Sequence, residues 1–306
     1  MPTICLAIPT YNRELVLVNT LEQVFAQDFP ADEVLVVDQT LEHEEETTTY
    51  LTVAEQSGRI RWLKQQQPSL PAARNRALRE TRCDVILFID DDVRLPRDFV
   101  WRHLRNYLAR DVVAVAGRIL QPPGFRYQSR CPPWPRVMDH LYFPLNATVR
   151  TEGVATFGGG NHSARSSFLR RIGGYDPNYL GYAFREDSDA AIRIWKAGGT
   201  VVFDPEAEIE HLAVPRGGCR IHQHGDRTPE WLVSFAASYF AWRHFFPAAE
   251  FWRQVLLVNL RKYALRRENA CRPWRLPWAV LTYIYSLARS GWTSRTMTPL
   301  PWTDNA

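Results

Sequence analysis

The sequence predicts an α/β fold, with a mostly parallel central sheet flanked by helices and a helical appendage at its C-terminal end. Three observations carry that expectation. Short β-branched runs alternate with amphipathic stretches through residues 3–120, the rhythm of strands joined by helical crossovers. The first apolar runs stop at polar or acidic residues, as strands do when their ends line a crevice. Beyond residue 229 strand signals cease and helical, basic, aromatic stretches take over.

Each element can be justified in turn. "TICLAIPT" (3–10) and "EVLVVDQ" (33–39) read as the first two strands. Between them, "RELVLVNTLEQVFAQ" (13–27) spaces Leu17, Leu21, Val24 and Phe25 along one helical face. "EHEEE" (42–46) reads as a solvated loop or helix start. "RIRWLKQ" (59–65) is a weaker strand, followed by a Pro-bounded loop and a helix through "AARNRALRE" (72–80). "DVILFID" (84–90) is the most apolar strand, "RDFVWRHLRNYLAR" (97–110) an amphipathic helix and "VVAVAGRIL" (112–120) a further strand. Residues 121–157, rich in Pro and aromatics, form an excursion off the core. The block 157–212 then runs from strand to helix, through a turn-rich loop, to a second helix and a last strand. The expected division is an α/β domain over 1–228, with halves 1–120 and 121–228, and a helical, basic, Trp-rich region over 229–306.

Composition narrows the setting. The five cysteines are scattered and lack any C-x-x-C pair, so free thiols in a reducing compartment are expected, with no disulfide framework or zinc site. The opening "MPTICLAIPTYNRE" lacks the basic region of a signal peptide. The late apolar stretch "LPWAVLTYIYSLA" (276–288) falls short of the roughly 20 residues that span a bilayer, so a cytoplasmic, non-spanning chain is expected. The net charge of +4 is uneven. From Phe240 onward ten Lys/Arg face three Asp/Glu, a balance of +7, which leaves −3 for residues 1–239. Six of the eleven tryptophans also lie in this tail. Basic helices flanked by Trp over 251–292 suit peripheral contact with the inner face of a membrane; packing on the core or a homodimer is the alternative. The basic excess is modest and carries no recognition motif, so a nucleic-acid partner is not expected.

Three strand ends carry chemistry: Pro9-Thr10-Tyr11-Asn12, Asp38 and Asp90-Asp91-Asp92. Three adjacent carboxylates beside a dry core repel one another, and a divalent cation such as Mg²⁺ or Mn²⁺ is the simplest neutraliser. A solvated turn with Asp caps is the bland alternative. Glu186, Asp187 and Asp189 open a helix after a Gly-rich loop, where acidic residues also favour a first turn. His211 ends the last strand, where a lone His is either structural or a ligand beside the carboxylates. Gly158-Gly159-Gly160-Asn161 is glycine-rich enough for close backbone approach to a sugar or phosphate, or is a turn the fold requires.

Taken in order, "AIPTYNR", "VLVVDQT", "PAARNRAL", "ILFIDDDV" and "GGGNHSARSSFLRRIGGYD…REDSDAAIRIWKAGG…H" resemble the family 2 glycosyltransferases of the GT-A fold, over about residues 3–212. The resemblance implies a GT-A-like architecture whose first half is a Rossmann-like nucleotide-binding unit. It implies an inverting, metal-assisted transfer of a hexosyl or deoxyhexosyl group from a nucleoside-diphosphate sugar, UDP- or dTDP-linked, to a hydroxyl of a saccharide or lipid-linked acceptor. Polysaccharide or glycolipid synthesis is the expected setting. Pro9, Thr10, Tyr11, Asn12, Arg13, Asp38, Arg74, Asn75, Asp90 and Asp91 would then contact the donor nucleotide. Asp92 would ligate Mn²⁺ or Mg²⁺ with His211, and Asp187 would be the general base. Glu186, Gly159, Gly160 and Asn161 would shape the acceptor and sugar site. Arg216, His222 and His224 would close over the phosphates, with a plain surface loop as the equal alternative. Where relatives carry D-D-x-S-x-D, this chain has Asp38-Gln39-Thr40-Leu41-Glu42, which leaves the base open. Two other readings stay open: a nucleotidyltransferase making nucleotide sugars, although "PTYNRE" lacks its Gly-rich loop, and a non-catalytic nucleotide- or sugar-binding protein at a membrane surface.

Overall fold

The computed structural model describes residues 1–123, 144–181, 183–218 and 230–296. The described residues divide into two compact units, those within Met1–Tyr175 with Glu186–Gly218, and those within Asp176–Arg185 with 230–296.

The first unit is built on a nine-stranded sheet: β1 (Ile4–Thr10), β2 (Glu33–Asp38), β3 (Arg61–Lys64), β4 (Val85–Ile89), β5 (Val93–Arg94), β6 (Val112–Leu120), β7 (Thr151–Glu152), β8 (Asn161–Arg165) and β9 (Thr200–His211). Their order is β3-β2-β1-β4-β8-β6-β9-β5, with β7 beside β9. Strands β3, β2, β1 and β4 are mutually parallel, as the alternating pattern predicts. Beyond β4 the sheet becomes mixed. β8 runs antiparallel between β4 and β6, β9 is parallel to β6, and β5 and β7 are antiparallel to β9. Hydrophobic periodicity identifies a strand without giving its direction, which is why the sequence alone does not reveal this change.

Alternation along the strands feeds two cores. Ile4, Leu6 and Ile8 of β1 join Leu17 and Leu21 of α1 (Leu15–Phe25), Leu51 of α2 (Glu45–Gln56), and Phe99 and Leu104 of α4 (Phe99–Leu104). Cys5 and Ala7 face the other way, toward Ala73 and Ala77 of α3 (Leu70–Glu80), Leu169 of α5 (Ser166–Arg171) and Ile194 of α6 (Glu186–Lys196). The sheet is therefore sandwiched between helical layers, each stabilised by apolar burial.

Local chemistry sets several boundaries. Ser69 caps α3 by accepting from the Ala72 amide, and Pro71 occupies the first turn, where a missing N–H costs nothing. The helix expected over 97–110 is α-helical only to Leu104 and tightens into a 3₁₀ turn over Arg105–Leu108. There the Asn106 side-chain amide donates to the Arg102 carbonyl at 2.8 Å and competes with the regular ladder. Helix α2 is obscured in the sequence by three consecutive threonines, which are weak helix formers.

The second unit contains α7 (Glu230–His244), α8 (Ala249–Trp252), a π-helical stretch (Arg253–Ala264), α9 (Arg267–Ala270) and α10 (Leu276–Thr296). Its short segment 176–185 is anchored by Asp176, which accepts from the Tyr239 hydroxyl at 2.8 Å and pairs with Arg243 at 3.3 Å. No helix among the described residues is long and apolar enough to cross a membrane.

Gly117 marks a bulge in the pairing of β6 with β9, where the register shifts between Gly117 and Arg118. A Cβ at Gly117 would collide with the Asn161 side chain and the Ala207 carbonyl. Gly117→Ala should therefore cost roughly 1–3 kcal/mol, the range of overpacking in a dense interior. Urea unfolding measures it, and an unchanged midpoint would show that the bulge relaxes freely.

Candidate active site

The carboxyl end of β4 delivers Asp90, Asp91 and Asp92 into three different environments. Asp91 is buried, and its carboxylate accepts from the Thr10 hydroxyl at 2.7 Å and from Arg13 Nε at 3.0 Å. Burial pushes the Asp91 carboxyl up to about 7, against the pull of the Arg13 guanidinium, while the charge of Asp92 adds to the rise. Arg13 also donates from Nη2 to Asp92 at 3.1 Å, and from Nη1 to the Val214 and Arg216 carbonyls. One buried cation thus satisfies two of the three acids and ties down the chain beyond β9.

Asp92 is brought to His211 by sheet register. β5 pairs with β9 so that Val93 lies opposite His211, and the Leu212 amide donates to the Asp92 carbonyl at 2.8 Å. His211 Nε2 then sits 3.3 Å from Asp92 and 4.0 Å from Asp90. The other ring nitrogen, Nδ1, faces Gln121 Oε1 at 2.7 Å, and donation there leaves Nε2 to face the carboxylates. Burial works to raise the Asp92 pKa. Its bonds to His211, with the charges of His211 and Arg13, outweigh that and hold it below the ordinary carboxylate value. The ligand atoms of Asp90, Asp92 and His211 lie within 4.8 Å of one another. Two carboxylates and an imidazole suit a divalent cation.

Asp90, with its side chain 39% exposed, is the open member of the three. The antiparallel register of β8 against β4 brings Gly160 beside it, and the Asp90 amide donates to the Gly160 carbonyl at 3.3 Å. A Cβ on Gly160 would strike the Asp90 carboxylate. One residue earlier, the Gly159 amide donates to Asp187 Oδ2 at 2.9 Å, while the Ser188 amide donates to Oδ1 at 2.6 Å. A single glycine turn therefore links the acidic cluster to the acidic start of α6. Arg74 braces the turn from behind: it is buried, donates to the Gly159 carbonyl at 2.9 Å and forms an ion pair with Glu186.

A second cluster surrounds Asp38. Its fully buried carboxylate takes His43 Nε2, Trp62 Nε1 and Lys64 Nζ on Oδ2, at 2.8, 2.9 and 2.8 Å, and the Thr40 amide on Oδ1 at 2.9 Å. His43 bridges onward to Glu14 at 3.2 Å.

The profile of Glycosyl transferase family 2 matches residues 5–173, more than half of the chain. The chain belongs to glycosyltransferase family 2. Solved structures agree on the fold. A mannosyltransferase from Pyrobaculum calidifontis, in complex with GDP-Man and Mn²⁺, is 18% identical, with 97% of this chain and 76% of that one covered and a TM-score of 0.57. TarS 1-349 of S. aureus, in complex with UDP-GlcNAc, is 14% identical, with 96% and 91% covered and a TM-score of 0.59. The comparison with curated protein sequences returned no match. The GT-A architecture expected from the sequence is thus the fold of this glycosyltransferase.

Within this glycosyltransferase the expected site residues fall into three groups. Thr10, Arg13, Asp90, Asp91, Asp92, Gly159, Gly160, Glu186, Asp187 and His211 come together at one end of the sheet through the contacts above. Pro9 is the penultimate residue of β1, the Tyr11 carbonyl accepts from the Gly218 amide at 2.6 Å, and Asn12, at φ +50°, donates its backbone amide to Thr40 Oγ1 at 2.8 Å. Four others turn inward. Asn161 is wholly buried, accepts from His103 at 2.8 Å and donates to the Arg118 and Ala207 carbonyls, so it plugs the bulge in the sheet. Asn75 clamps both backbone groups of Tyr175 at 2.7 Å. Arg74 is the brace behind the glycine turn, and Asp38 is enclosed by its donors. Arg216 lies against Arg13 through its carbonyl, while His222 and His224 fall outside the described residues.

Sequence reasoning passed over His43, Trp62, Lys64 and Gln121. His43 sits in "EHEEE", whose charge suggests a solvated loop, yet its side chain is fully buried. Burial acts to lower the His43 pKa, but its bonds to Asp38 and Glu14 outweigh this and raise it above the ordinary 6.5. A raised folded value means stability that is fully present below pH 6.5 and lost as pH climbs from there through the higher folded value. Asp91 acts in the same direction in a lower window, from 3.8 to about 7. Urea unfolding at rising pH above 6.5 should therefore show the wild type losing more stability than His43→Gln, since the Asp91 contribution is common to both. Equal slopes would remove His43 as the source.

Proposed function

We propose that this family 2 glycosyltransferase transfers a hexosyl or deoxyhexosyl group from a nucleoside-diphosphate sugar to a hydroxyl acceptor, with inversion at the anomeric carbon. The observation that carries the reading is the joining of two functional groups by one turn. Asp90, beside the Asp92–His211 pair, and Asp187 are bonded to consecutive glycines of that turn. The relatives of similar fold support the donor class, since one holds GDP-Man with Mn²⁺ and another UDP-GlcNAc. UDP or dTDP remains the favoured nucleotide, and a saccharide or lipid-linked hydroxyl in polysaccharide or glycolipid synthesis the favoured acceptor.

The residues divide the work by environment. Asp90, Asp92 and His211 would hold the divalent cation. When bound, that cation neutralises the charge that develops on the departing diphosphate. Asp91 serves the site through Arg13 and Thr10. Asp187 keeps acceptor capacity on Oδ2, which offers two lone pairs and spends one on the Gly159 amide, while Oδ1 takes both the Ser188 amide and the Ser188 hydroxyl. It takes the proton from the acceptor hydroxyl as that oxygen bonds to the anomeric carbon and the bond to the diphosphate breaks on the opposite face. Glu186 and Arg74 hold the turn and the start of α6 in place, so Asp187 approaches from a fixed direction.

Asp187→Asn should lower transfer at least about 100-fold and leave donor binding near wild type, because only the proton acceptor is removed. A transfer assay paired with calorimetric titration of UDP-sugars and GDP-sugars tests both halves, and an active Asp187→Asn protein would exclude this residue as the base. Chelation should abolish transfer and added Mn²⁺ should restore it. In Asp92→Ala, nucleoside-diphosphate binding should lose its dependence on Mn²⁺; if wild-type binding is already the same with and without Mn²⁺, the cation has no role in holding the diphosphate.

A further inference from the structure

Helix α10 is built inside out. A surface helix ordinarily turns its apolar stripe inward and its polar face to solvent. In α10 the buried residues are Tyr283, Ser286, Ser290, Gly291 and Thr293. The outward ones include Trp278, Leu281, Ile284, Tyr285 and Trp292, at 73, 56, 54, 53 and 59% exposure. Positions 278, 281, 285 and 292 follow steps of three, four and seven, so they form one continuous stripe along the helix. Trp274, just before α10, is 69% exposed.

Packing explains the inversion. Gly291 lets α10 approach α7 closely, since a Cβ there would lie 2.9 Å from the Trp242 ring. The buried hydroxyls are all satisfied: Ser286 donates to the Trp231 carbonyl at 3.1 Å and the Thr282 carbonyl at 2.8 Å, Ser290 to Leu287 and Thr293 to Arg289. The inner face is therefore stable as it stands, and the aromatic stripe is left for something else. A contiguous exposed apolar patch of this kind marks an interaction surface.

Charge selects the partner. Residues 230–296 carry ten Lys/Arg and three Asp/Glu, and residues 269–296, which include α10, have Arg272, Arg275, Arg289 and Arg295 with no acidic residue. A second copy meeting this stripe in a symmetric dimer would oppose the same cations to themselves. An anionic phospholipid surface neutralises them, accepts Trp and Tyr at headgroup depth and requires no spanning segment. We propose that α10 docks this chain on anionic phospholipid membranes, lying in the plane of the interface with its Trp278–Trp292 stripe toward the lipid. The proposal goes beyond the transfer reaction and does not depend on it.

Flotation of the full chain with phosphatidylcholine vesicles, with and without about one-third phosphatidylglycerol, tests the docking. Anionic vesicles should enrich the protein at least about tenfold over neutral ones, less so in high salt, with a blue shift in Trp emission. The triple variant Trp278→Ser, Leu281→Ser, Trp292→Ser should lose that enrichment while keeping the wild-type unfolding midpoint and transfer activity. Asp187→Asn protein should float like the wild type, which separates this result from the outcome of the transfer assay. Equal flotation of wild type and triple variant would overturn the proposal. So would the absence of anionic enrichment together with a wild-type dimer that the triple variant turns into monomer, since the stripe would then join two copies.

Discussion

Three consecutive carboxylates at the end of a buried strand set the constraint on which the site depends. Left alone they would repel one another and lose hydration, and the chain would gain by protonating or moving them. Arg13 resolves most of this by binding Asp91 and Asp92 with different nitrogens of one guanidinium. Removing one side of such a buried pair costs about 3–5 kcal/mol in typical proteins, so the arrangement is hard to dissolve. Its consequences spread outward. Arg13 also binds two carbonyls of the chain after β9, and Gly217 and Gly218, both at positive φ, let that chain fold onto the turn at Asn12 and Arg13. Once Arg13 has taken Asp91, the residual negative charge is concentrated on the Asp90–Asp92–His211 face.

The mixed half of the sheet exists to deliver partners to that face. A purely parallel sheet would leave Asp90–Asp92 at the end of β4 with only other strand ends nearby. Antiparallel β8 instead presents its N-terminal glycine turn to Asp90, and antiparallel pairing of β5 with β9 seats His211 beside Asp92. Both placements are matters of register, and a slip of one residue would point the wrong side chains inward. Asn161 guards against that slip: it fixes β8 to β6 and β9 while Gly117 makes room for it. Its contribution to the site is structural and indirect.

This accounts for what the sequence disclosed. Strands β1, β2, β4, β6 and β9 were legible because apolar runs and polar ends are local signals. The D-x-D segment, the Glu186–Asp187 pair and His211 stood out because they are polar residues at the ends of apolar strands and at the start of a helix, which is also a local signal. The partners were not. Whether Asn161 faces a ligand or a bulge depends on strand direction, and whether Asp38 is open or enclosed depends on His43, Trp62 and Lys64 reaching it from three separate positions. His43 was hidden by its neighbours, because a histidine among four glutamates looks solvated until Glu14 and Asp38 close on it from outside that segment.

The C-terminal helices show the same limit from the other side. A period near 3.6 in α10 reports that the helix is two-faced, but it does not say which face is buried. Hydropathy alone would turn Trp278 and Trp292 inward. The close approach of Gly291 to Trp242, with serine and threonine hydroxyls bonded to nearby carbonyls, turns them outward instead. Once small residues set the spacing of two helices, the bulky residues of the same helix have only the opposite side left. Their exposure is then a consequence of how the unit packs, and the cations around them decide which surface can cover them.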